Sequence, residues 1–349
     1  MKRLFMLLAA LMLMVSASFA QKNFHFWSGN SYMETFSDVD SLTFSEGNDL
    51  LHPVFEGLNA TTNTVQGTVK IVLNDGVKSI DNTCEIGIFF SDENSTPTYN
   101  DYFELLGNVL QDYPFTVKNL VPGTTYYYIA YVKIERTVYY SEVKSVTTKG
   151  EKPTPPAYTL INGHKFVDLG LPSGLLWAET NVGASSATDA GDYFAWGETE
   201  PKTNYSWDTY KWGETPTKYN DTDGKTVLDA EDDAATVNWG APCRMPSYSE
   251  LEELYKNCLM LSKSDYNGMS GHLFTGSNGN TIFLPASGGI DNETYCNRGE
   301  CGYYWSRSIL TEGVREPVAN EFLLNVHPYL YARRFNRYYG FSVRPVTEK

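Results

Sequence analysis

Five cysteines could take part in thiol chemistry: Cys84, Cys243, Cys258, Cys296 and Cys301. Four residues separate Cys296 from Cys301, so a tight loop can bring these two sulfur atoms together. A predicted helix lies between Cys243 and Cys258, and its two ends are ~16 Å apart. A bridge needs Cα atoms within about 7 Å, so that pair meets only if the chain before the helix folds back. We therefore expect a loop disulfide between Cys296 and Cys301, and a buried free thiol at Cys84.

Four carboxylates lie close together in the sequence: Asp229, Glu231, Asp232 and Asp233. Carboxylate oxygens are the ligands that Ca²⁺ prefers, so the cluster is a candidate calcium site. Its spacing is not that of an EF-hand loop, and acidic residues are also typical of the first turn of a helix. The second interpretation, a short helix over residues 232–238 with an acid-rich start, is the favoured one.

Aromatic residues alternate with polar ones in a loop-rich stretch, at Tyr205, Trp207, Tyr210 and Trp212. Exposed rings of this kind can stack on the faces of sugars, which makes the four residues candidates for ligand binding. The alternative is that they line the core of a domain with few helices. The five histidines are scattered without metal-ligand spacing, and no Ser-His-Asp arrangement, nucleophile elbow or phosphate loop is present. We therefore expect a protein without enzymatic activity.

The first twenty residues predict export. Lys2 and Arg3 precede an apolar run over residues 4–15, and Ser18-Phe19-Ala20 suits cleavage before Gln21. We interpret residues 1–20 as a signal peptide and expect a protein of the periplasm or the cell surface. No other apolar run approaches the ~20 residues of a membrane span. The net charge of −15 opposes nucleic acid and anionic membranes as partners.

Short strands at regular spacing dominate residues 50–149 and predict a β-sandwich, preceded by a short β leader over residues 21–49. The segment Leu120-Val121-Pro122-Gly123-Thr124-Thr125-Tyr126 resembles the corner between strands E and F of fibronectin type III domains. That resemblance implies that the Tyr126 hydroxyl returns to the backbone and fixes the corner. A Pro-rich linker follows at 150–157 and predicts an extended spacer.

The second domain is predicted to cover residues 158–349 and to be organised around a hairpin. Two apolar runs at 166–171 and 175–178 flank the turn Pro172-Ser173-Gly174. A strand-like segment at 339–346 is its predicted partner, so the two ends of the domain should close one sheet. One helix is expected at 248–258, where Ser247 and Glu250 form a capping box.

Several motifs of this second domain occur in a characteristic order. They are Phe166-Val167-Asp168-Leu169-Gly170-Leu171-Pro172-Ser173-Gly174, Tyr193-Phe194-Ala195-Trp196-Gly197-Glu198-Thr199, Asp232-Asp233-Ala234-Ala235, Arg244-Met245-Pro246, Ile282-Phe283-Leu284-Pro285-Ala286, Tyr304-Trp305-Ser306 and the ending at 340–346. As an ordered set they resemble the major paralogous domain family of secreted gut-bacterial (Bacteroides-type) proteins. The resemblance implies a loop-rich α+β domain of C-type-lectin-like fold, related in architecture to formylglycine-generating enzymes. The expected fold class is therefore mostly β, with a fibronectin type III-like β-sandwich followed by this C-type-lectin-like domain.

This resemblance also frames the functional alternatives. Formylglycine-generating enzymes use two cysteines at the spacing of Cys296 and Cys301, with copper, and soft thiolates suit Cu(I). The basic and aromatic residues that surround that pair in those enzymes are missing here. The lectin-type calcium motifs are also absent, and Glu316-Pro317-Val318 departs from one of them at its third position. We expect a non-enzymatic binding or adhesion protein for an extracellular glycan or protein. The alternatives are a redox or metal-dependent enzyme and a structural subunit of a surface assembly.

Overall fold

The structure is a computed structural model. It describes residues 23–28, 31–37, 50–74, 83–154, 158–310, 316–323 and 330–349, and only the backbone of residues 23–28, 31–37, 316–323 and 330–334. The predicted signal peptide lies outside the described residues. Strands dominate throughout, which confirms the expected mostly β class. Among the helices that the structure describes, none is both long and apolar enough to cross a membrane.

The first strands form a hairpin and a sandwich. β1 (Asn23–Ser28) pairs antiparallel with β2 (Ser31–Ser37). One sheet of the sandwich has the order β3-β4-β7, and the other has the order β10-β8-β5-β6, with β9 also paired to β8. The strands are β3 (Leu51–Ala60), β4 (Val65–Leu73), β5 (Cys84–Ser91), β6 (Tyr102–Gly107), β7 (Tyr113–Val117), β8 (Thr125–Ile134), β9 (Thr137–Tyr140) and β10 (Lys144–Thr147). The predicted β-sandwich is therefore confirmed.

Alternation along β8 explains why its residues form a central strand. Every second side chain points into the core between the sheets, and the inward residues Tyr126, Tyr128, Ala130 and Val132 have no exposed surface. The hydroxyl of Tyr126 accepts a hydrogen bond from the backbone N–H of Val121 at 3.0 Å, and it does so in the buried interior. The predicted role of Tyr126 at the corner is thereby confirmed.

The two ends of the C-terminal part meet in one sheet of order β11-β12-β13-β22. The strands are β11 (Thr159–Ile161), β12 (His164–Asp168), β13 (Leu176–Ala178) and β22 (Val346–Thr347). The predicted hairpin is present, with Phe166 opposite Ala178, and Trp177 pairs with Val346 of the closing strand. That strand is shorter than expected. The chain before it instead forms single bridges, such as Phe341 with Phe194, because it crosses several loops on its way to the sheet.

The rest of the C-terminal part is made of small sheets and two short helices. The sheets are β14-β15-β16, β17-β18 and β19-β20-β21. Their bounds are β14 (Cys258–Tyr266), β15 (Met269–Gly276), β16 (Thr281–Pro285), β17 (Gly289–Asp291), β18 (Thr294–Cys296), β19 (Cys301–Leu310), β20 (Glu316–Leu323) and β21 (Leu330–Arg334), with helices α1 (Ala234–Trp239) and α2 (Tyr248–Asn257). Single 3-10 turns occur at Trp207–Thr209 and Ala230–Asp232. The predicted capping box of α2 is confirmed, since the Ser247 side chain accepts a hydrogen bond from the backbone N–H of Glu250 and the Glu250 side chain accepts one from the backbone N–H of Ser247.

A buried arginine joins the closing segment to the body of the C-terminal part. Arg344 has no exposed surface and donates hydrogen bonds to Asn181 Oδ1, to the carbonyls of Ala178 and Glu179, and to the carbonyl of Phe283. Burial lowers the pKa of this guanidinium to about 10. Its hydrogen bonds therefore tie β22, β13 and β16 together through backbone acceptors.

The sandwich and the C-terminal part are in direct contact. Leu259 and Leu261 of β14 belong to the apolar cluster of the sandwich core. At the same junction, Asn119 Nδ2 donates to the carbonyl of Lys256 at 2.9 Å. Apolar side chains of β14 therefore bring the two parts together, and residues 155–157 of the predicted linker lie outside the described residues.

Candidate functional site

Three of the four candidate metal ligands meet around a lysine. One carboxylate oxygen from each of Asp229, Glu231 and Asp232 lies within 4.8 Å of the others. The ammonium group of Lys218 is 2.9 Å from Asp229, 3.0 Å from Glu231 and 2.5 Å from Asp232. The Lys218 nitrogen thus occupies the position between the carboxylates that a cation would take.

Asp232 is the buried member of this cluster, with 3% of its side chain exposed. It accepts further hydrogen bonds from Lys211 Nζ at 2.7 Å and from the Tyr219 hydroxyl at 2.7 Å. Burial alone would raise the pKa of Asp232, but these donors and Lys218 outweigh it and lower the pKa. The carboxylate is therefore held in its charged form by two lysines and a tyrosine.

Asp233 has a different role from its neighbours. Its side chain accepts from the backbone N–H of Thr236 and from that of Met245, both at 3.0 Å. It therefore caps the first turn of α1 and fixes the strand-like segment at Met245. Burial raises the pKa of Asp233 in spite of these bonds. The expected helix begins at Ala234 rather than at residue 232, so Asp233 is its N-cap and its first turn contains no acidic residue. Glu231 and Asp232 lie instead in the preceding 3-10 turn.

The four candidate aromatic residues divide into two buried and two partly exposed rings. Tyr205 and Tyr210 are 1% and 5% exposed. Their hydroxyls donate to backbone carbonyls, Tyr205 to Tyr193 at 2.5 Å and Tyr210 to Trp196 at 2.9 Å. Burial raises the pKa of Tyr205 to about 12. These two tyrosines are core residues, so only Trp207 and Trp212 can present ring surface to a ligand.

Trp207 is part of an aromatic surface that extends beyond the predicted residues. Its ring lies 4.9 Å from that of Tyr338 in an edge-to-face arrangement. Tyr338 in turn stacks on Tyr339 at 4.7 Å. The ring of Tyr295 is 58% exposed and lies 5.7 Å from the ring of Tyr193. We define the aromatic surface as Trp207, Tyr295, Tyr338 and Tyr339.

Backbone pairing brings the members of this aromatic surface together. The backbone N–H of Tyr205 donates to the carbonyl of Asn292 at 2.6 Å, and the reverse bond is 2.9 Å. These bonds fix the loop that carries Trp207 against the β17–β18 hairpin that carries Tyr295. Between them, Asn204 Nδ2 donates to Glu293 Oε1 at 3.3 Å. Among the residues that the structure describes, nothing donates to the buried Oδ1 of Asn204.

Sequence reasoning did not find Tyr295, Tyr338 or Tyr339. Tyr338 and Tyr339 belong to the segment that returns to close the domain, and only that return places them beside Trp207. Adjacent tyrosines before Gly340, next to the predicted closing strand, were the available signal. The absence of a Cβ at Gly340 also matters, since an added one would lie 2.8 Å from the ring of Tyr205.

The cysteine pair is not bridged in the structure. None of the five cysteines forms a disulfide. Cys301 starts β19 inside the largest apolar cluster of the C-terminal part. The thiol of Cys296, at the end of β18, donates instead to the carbonyl of Gly289 at 3.4 Å, and burial raises its pKa. The expected loop disulfide is therefore absent here, because the two side chains enter different surroundings. A raised pKa also disfavours the thiolate that copper chemistry requires.

Comparison with known proteins adds little to this geometry. No model of a protein family matches the sequence, and no curated protein matches it. Among solved structures, a fibronectin type III domain from the human KIAA0970 protein is 16% identical, with a TM-score of 0.22, over 32% of this chain and 82% of that domain. The twitchin kinase region of C. elegans is 12% identical, with a TM-score of 0.20, over 66% of this chain and 30% of that one. Scores this low carry no argument, so the sandwich is assigned from its own sheets.

Proposed function

We propose that this protein is an exported, non-enzymatic binding protein whose aromatic surface takes an extracellular glycan. The observation that carries the proposal is the fixed pair of Trp207 and Tyr338, half-buried rings 4.9 Å apart. Aromatic rings of this kind offer a large apolar face at little cost in side-chain entropy, and sugar rings present matching apolar faces. The sandwich is the support of this surface rather than a part of it.

Preorganisation supports binding over a merely structural role. Tyr205 and Tyr210 lie below Trp207 with their hydroxyls bonded to carbonyls, and the ring of Trp207 meets that of Tyr210 at 5.7 Å. Trp207 also sits in the 3-10 turn Trp207–Thr209, where the backbone N–H of Ser206 donates to Thr209 Oγ1 at 3.3 Å. A ring held in this way loses little freedom when a ligand covers it.

Polar groups beside the rings supply hydrogen-bonding partners for hydroxyl groups. Asn204 and Glu293 join the two loops. Asp208 follows Trp207 in the sequence, Asn336 lies two residues before Tyr338, and both are exposed. Carboxylate and amide groups next to an aromatic face are the arrangement expected for a neutral, hydroxyl-rich ligand. Binding should not depend on calcium, because Lys218 already pairs with the three carboxylates and Lys211 and Lys225 add further positive charge.

The domain organisation is part of this proposal. A signal peptide at 1–20 exports the chain, and residues 158–349 form a C-type-lectin-like domain of the major paralogous type. The meeting of both ends of this region in one sheet, at Trp177 and Val346, supports that assignment. So do its long loops and its two short helices.

A glycan array probed with the predicted mature chain, residues 21–349, tests the proposal. The parent protein should bind a restricted set of glycans equally in calcium and in chelator. Trp207→Ala should reduce binding at least tenfold, because it removes the central ring of the surface. Tyr338→Ala should have a similar effect.

Tyr99 provides the matched control. Its ring is 76% exposed and lies in the sandwich, so Tyr99→Ala removes an exposed aromatic ring without touching the proposed site. This variant should bind as the parent does. Equal binding by Trp207→Ala and the parent, with both folded by circular dichroism, would contradict the proposal. So would the loss of binding in the Tyr99 variant alone.

A further inference from the structure

The five-stranded sheet of the sandwich has two apolar faces. The inward face, with Phe90, Tyr128 and Val132, packs against the other sheet. On the opposite face, Phe89 stacks on Tyr131 with their ring centroids 4.5 Å apart. We define the outer aromatic surface as Phe89, Phe103, Ile129, Tyr131, Val138 and Tyr140, which form one apolar cluster.

This outer aromatic surface is covered at its centre. Phe89, Ile129 and Tyr131 are 8%, 6% and 4% exposed, as little as many residues of the inner core. Leu105, on the same face and farther along β6, is 39% exposed. In a two-layer sandwich the outward face meets water and exposes its side chains. A third layer must therefore lie over Phe89 and Tyr131 and end before Leu105.

The N-terminal hairpin is the element in position to form this layer. β2 lies alongside β9, the strand that carries Val138 and Tyr140 of the outer aromatic surface. A two-stranded hairpin is marginally stable in water by itself and needs an apolar face to pack on. The hairpin sequence is rich in the side chains that such packing uses, with Phe24, Phe26, Trp27, Tyr32 and Phe36.

We propose that the outer aromatic surface is a docking surface for an aromatic β-hairpin, and that this chain's own leader, residues 21–49, occupies it. Among the strands that the structure describes, no pairing connects β1 or β2 to either sheet of the sandwich. On this proposal, apolar packing on the outer aromatic surface retains the leader. The proposal is independent of the aromatic surface near Trp207.

The test is to cleave the leader from the body and to measure whether the leader remains bound. A single protease site is inserted after Gly47 in the mature chain, and the cut protein is passed over a gel-filtration column with mass detection. The leader should co-elute with the body at the mass of one chain. A leader that separates from the parent body overturns the proposal. Co-elution at the mass of two chains also overturns it, because the occupant would then come from a second copy.

Two pairs of variants locate the contact. Phe103→Ser should lower the affinity of the cut leader for the body about tenfold or more, since it removes a partly buried ring from the outer aromatic surface. Tyr131→Ser should do the same, whereas Tyr131→Phe keeps the ring, loses only the 2.9 Å bond to Glu85, and should retain the leader. Val143→Ser, at a 36% exposed side chain outside the surface, is the control. Melting curves identify any variant whose sandwich is unfolded. If the Phe103→Ser variant is folded and still retains the cut leader as the parent does, the proposal is overturned.

Discussion

Lys218→Met removes the ammonium group at the centre of the acidic cluster while keeping a side chain of similar length. In the parent, Lys218 contacts three carboxylates, and Asp232 among them has only 3% of its side chain exposed. The substitution leaves Asp229, Glu231 and Asp232 close together with less positive charge between them. Their mutual repulsion and the burial of Asp232 should then lower the free energy of unfolding.

The magnitude follows from burial. Removing one partner of a fully buried pair costs about 3–5 kcal/mol, and exposed pairs contribute about 1 kcal/mol or less. Lys218 is 24% exposed, and Lys211 remains bonded to Asp232, so solvent screening and the second lysine reduce the loss to about 2 kcal/mol. The melting temperature should fall by about 3 °C if the whole chain unfolds together, and by about 5 °C if the C-terminal part unfolds alone.

Urea titration of the parent and of two variants measures this loss. Lys225→Met is the matched control, because Lys225 is 44% exposed and pairs with Asp229, whose own side chain is 34% exposed. Its effect should stay below about 1 kcal/mol. Millimolar calcium should leave the melting temperature of the parent unchanged, since Lys218 occupies the cation position. Equal losses in the two variants, or stabilisation of the parent by calcium, would refute this reasoning.

The same cluster predicts acid sensitivity. The pKa of Asp232 is lowered in the folded protein, so its contribution to stability is fully present above the ordinary carboxyl pKa of about 4. That contribution is lost as the pH falls further, through the lowered pKa of the folded state. Urea midpoints between pH 3 and pH 7 should therefore differ less between Lys218→Met and the parent at the acid end. A difference that is independent of pH would contradict the assignment.

Four further predictions concern the fold. Tyr126→Phe should lower the free energy of unfolding, measured by urea titration, by about 1–2 kcal/mol, because it leaves a buried backbone amide without its acceptor. No loss of stability would mean that other contacts fix the corner. Trp177→Ala should cost about 3–5 kcal/mol through cavity formation, and a much smaller loss would show that the site collapses. Leu261→Ser should raise binding of a hydrophobic dye at the junction with the sandwich, and unchanged dye binding would contradict that packing. Alkylation in denaturant without reductant should add five adducts to the chain, whereas three adducts, with peptide mapping showing Cys296 and Cys301 unmodified, would restore the bridge between them.

Local signals in the sequence were sufficient for several elements. The capping box at Ser247 and Glu250 predicts a helix because both bonds form within one turn. The hairpin around Pro172 and the corner tyrosine Tyr126 are likewise defined by residues close in the chain. In each case the interacting groups are neighbours in sequence, so the pattern contains the contact.

The ligand surface could not be obtained in this way. Alternation of Tyr205, Trp207, Tyr210 and Trp212 with polar residues gives no information on which rings are buried. Tyr205 is buried because Gly340, from the far end of the chain, leaves room for its ring. The same return of the chain brings Tyr338 beside Trp207.

The sequence by itself determined the β-sandwich, the hairpin that organises the C-terminal part, and the helix caps, since these depend on side-chain period and on bonds within a turn. Only the tertiary structure decided that Lys218 pairs with three carboxylates of the acidic cluster and that Cys296 and Cys301 enter different surroundings. It also decided that the sandwich packs directly on β14. The physical reason is common to these cases: charge pairing and burial depend on distances between segments remote in the chain, which composition and spacing do not fix.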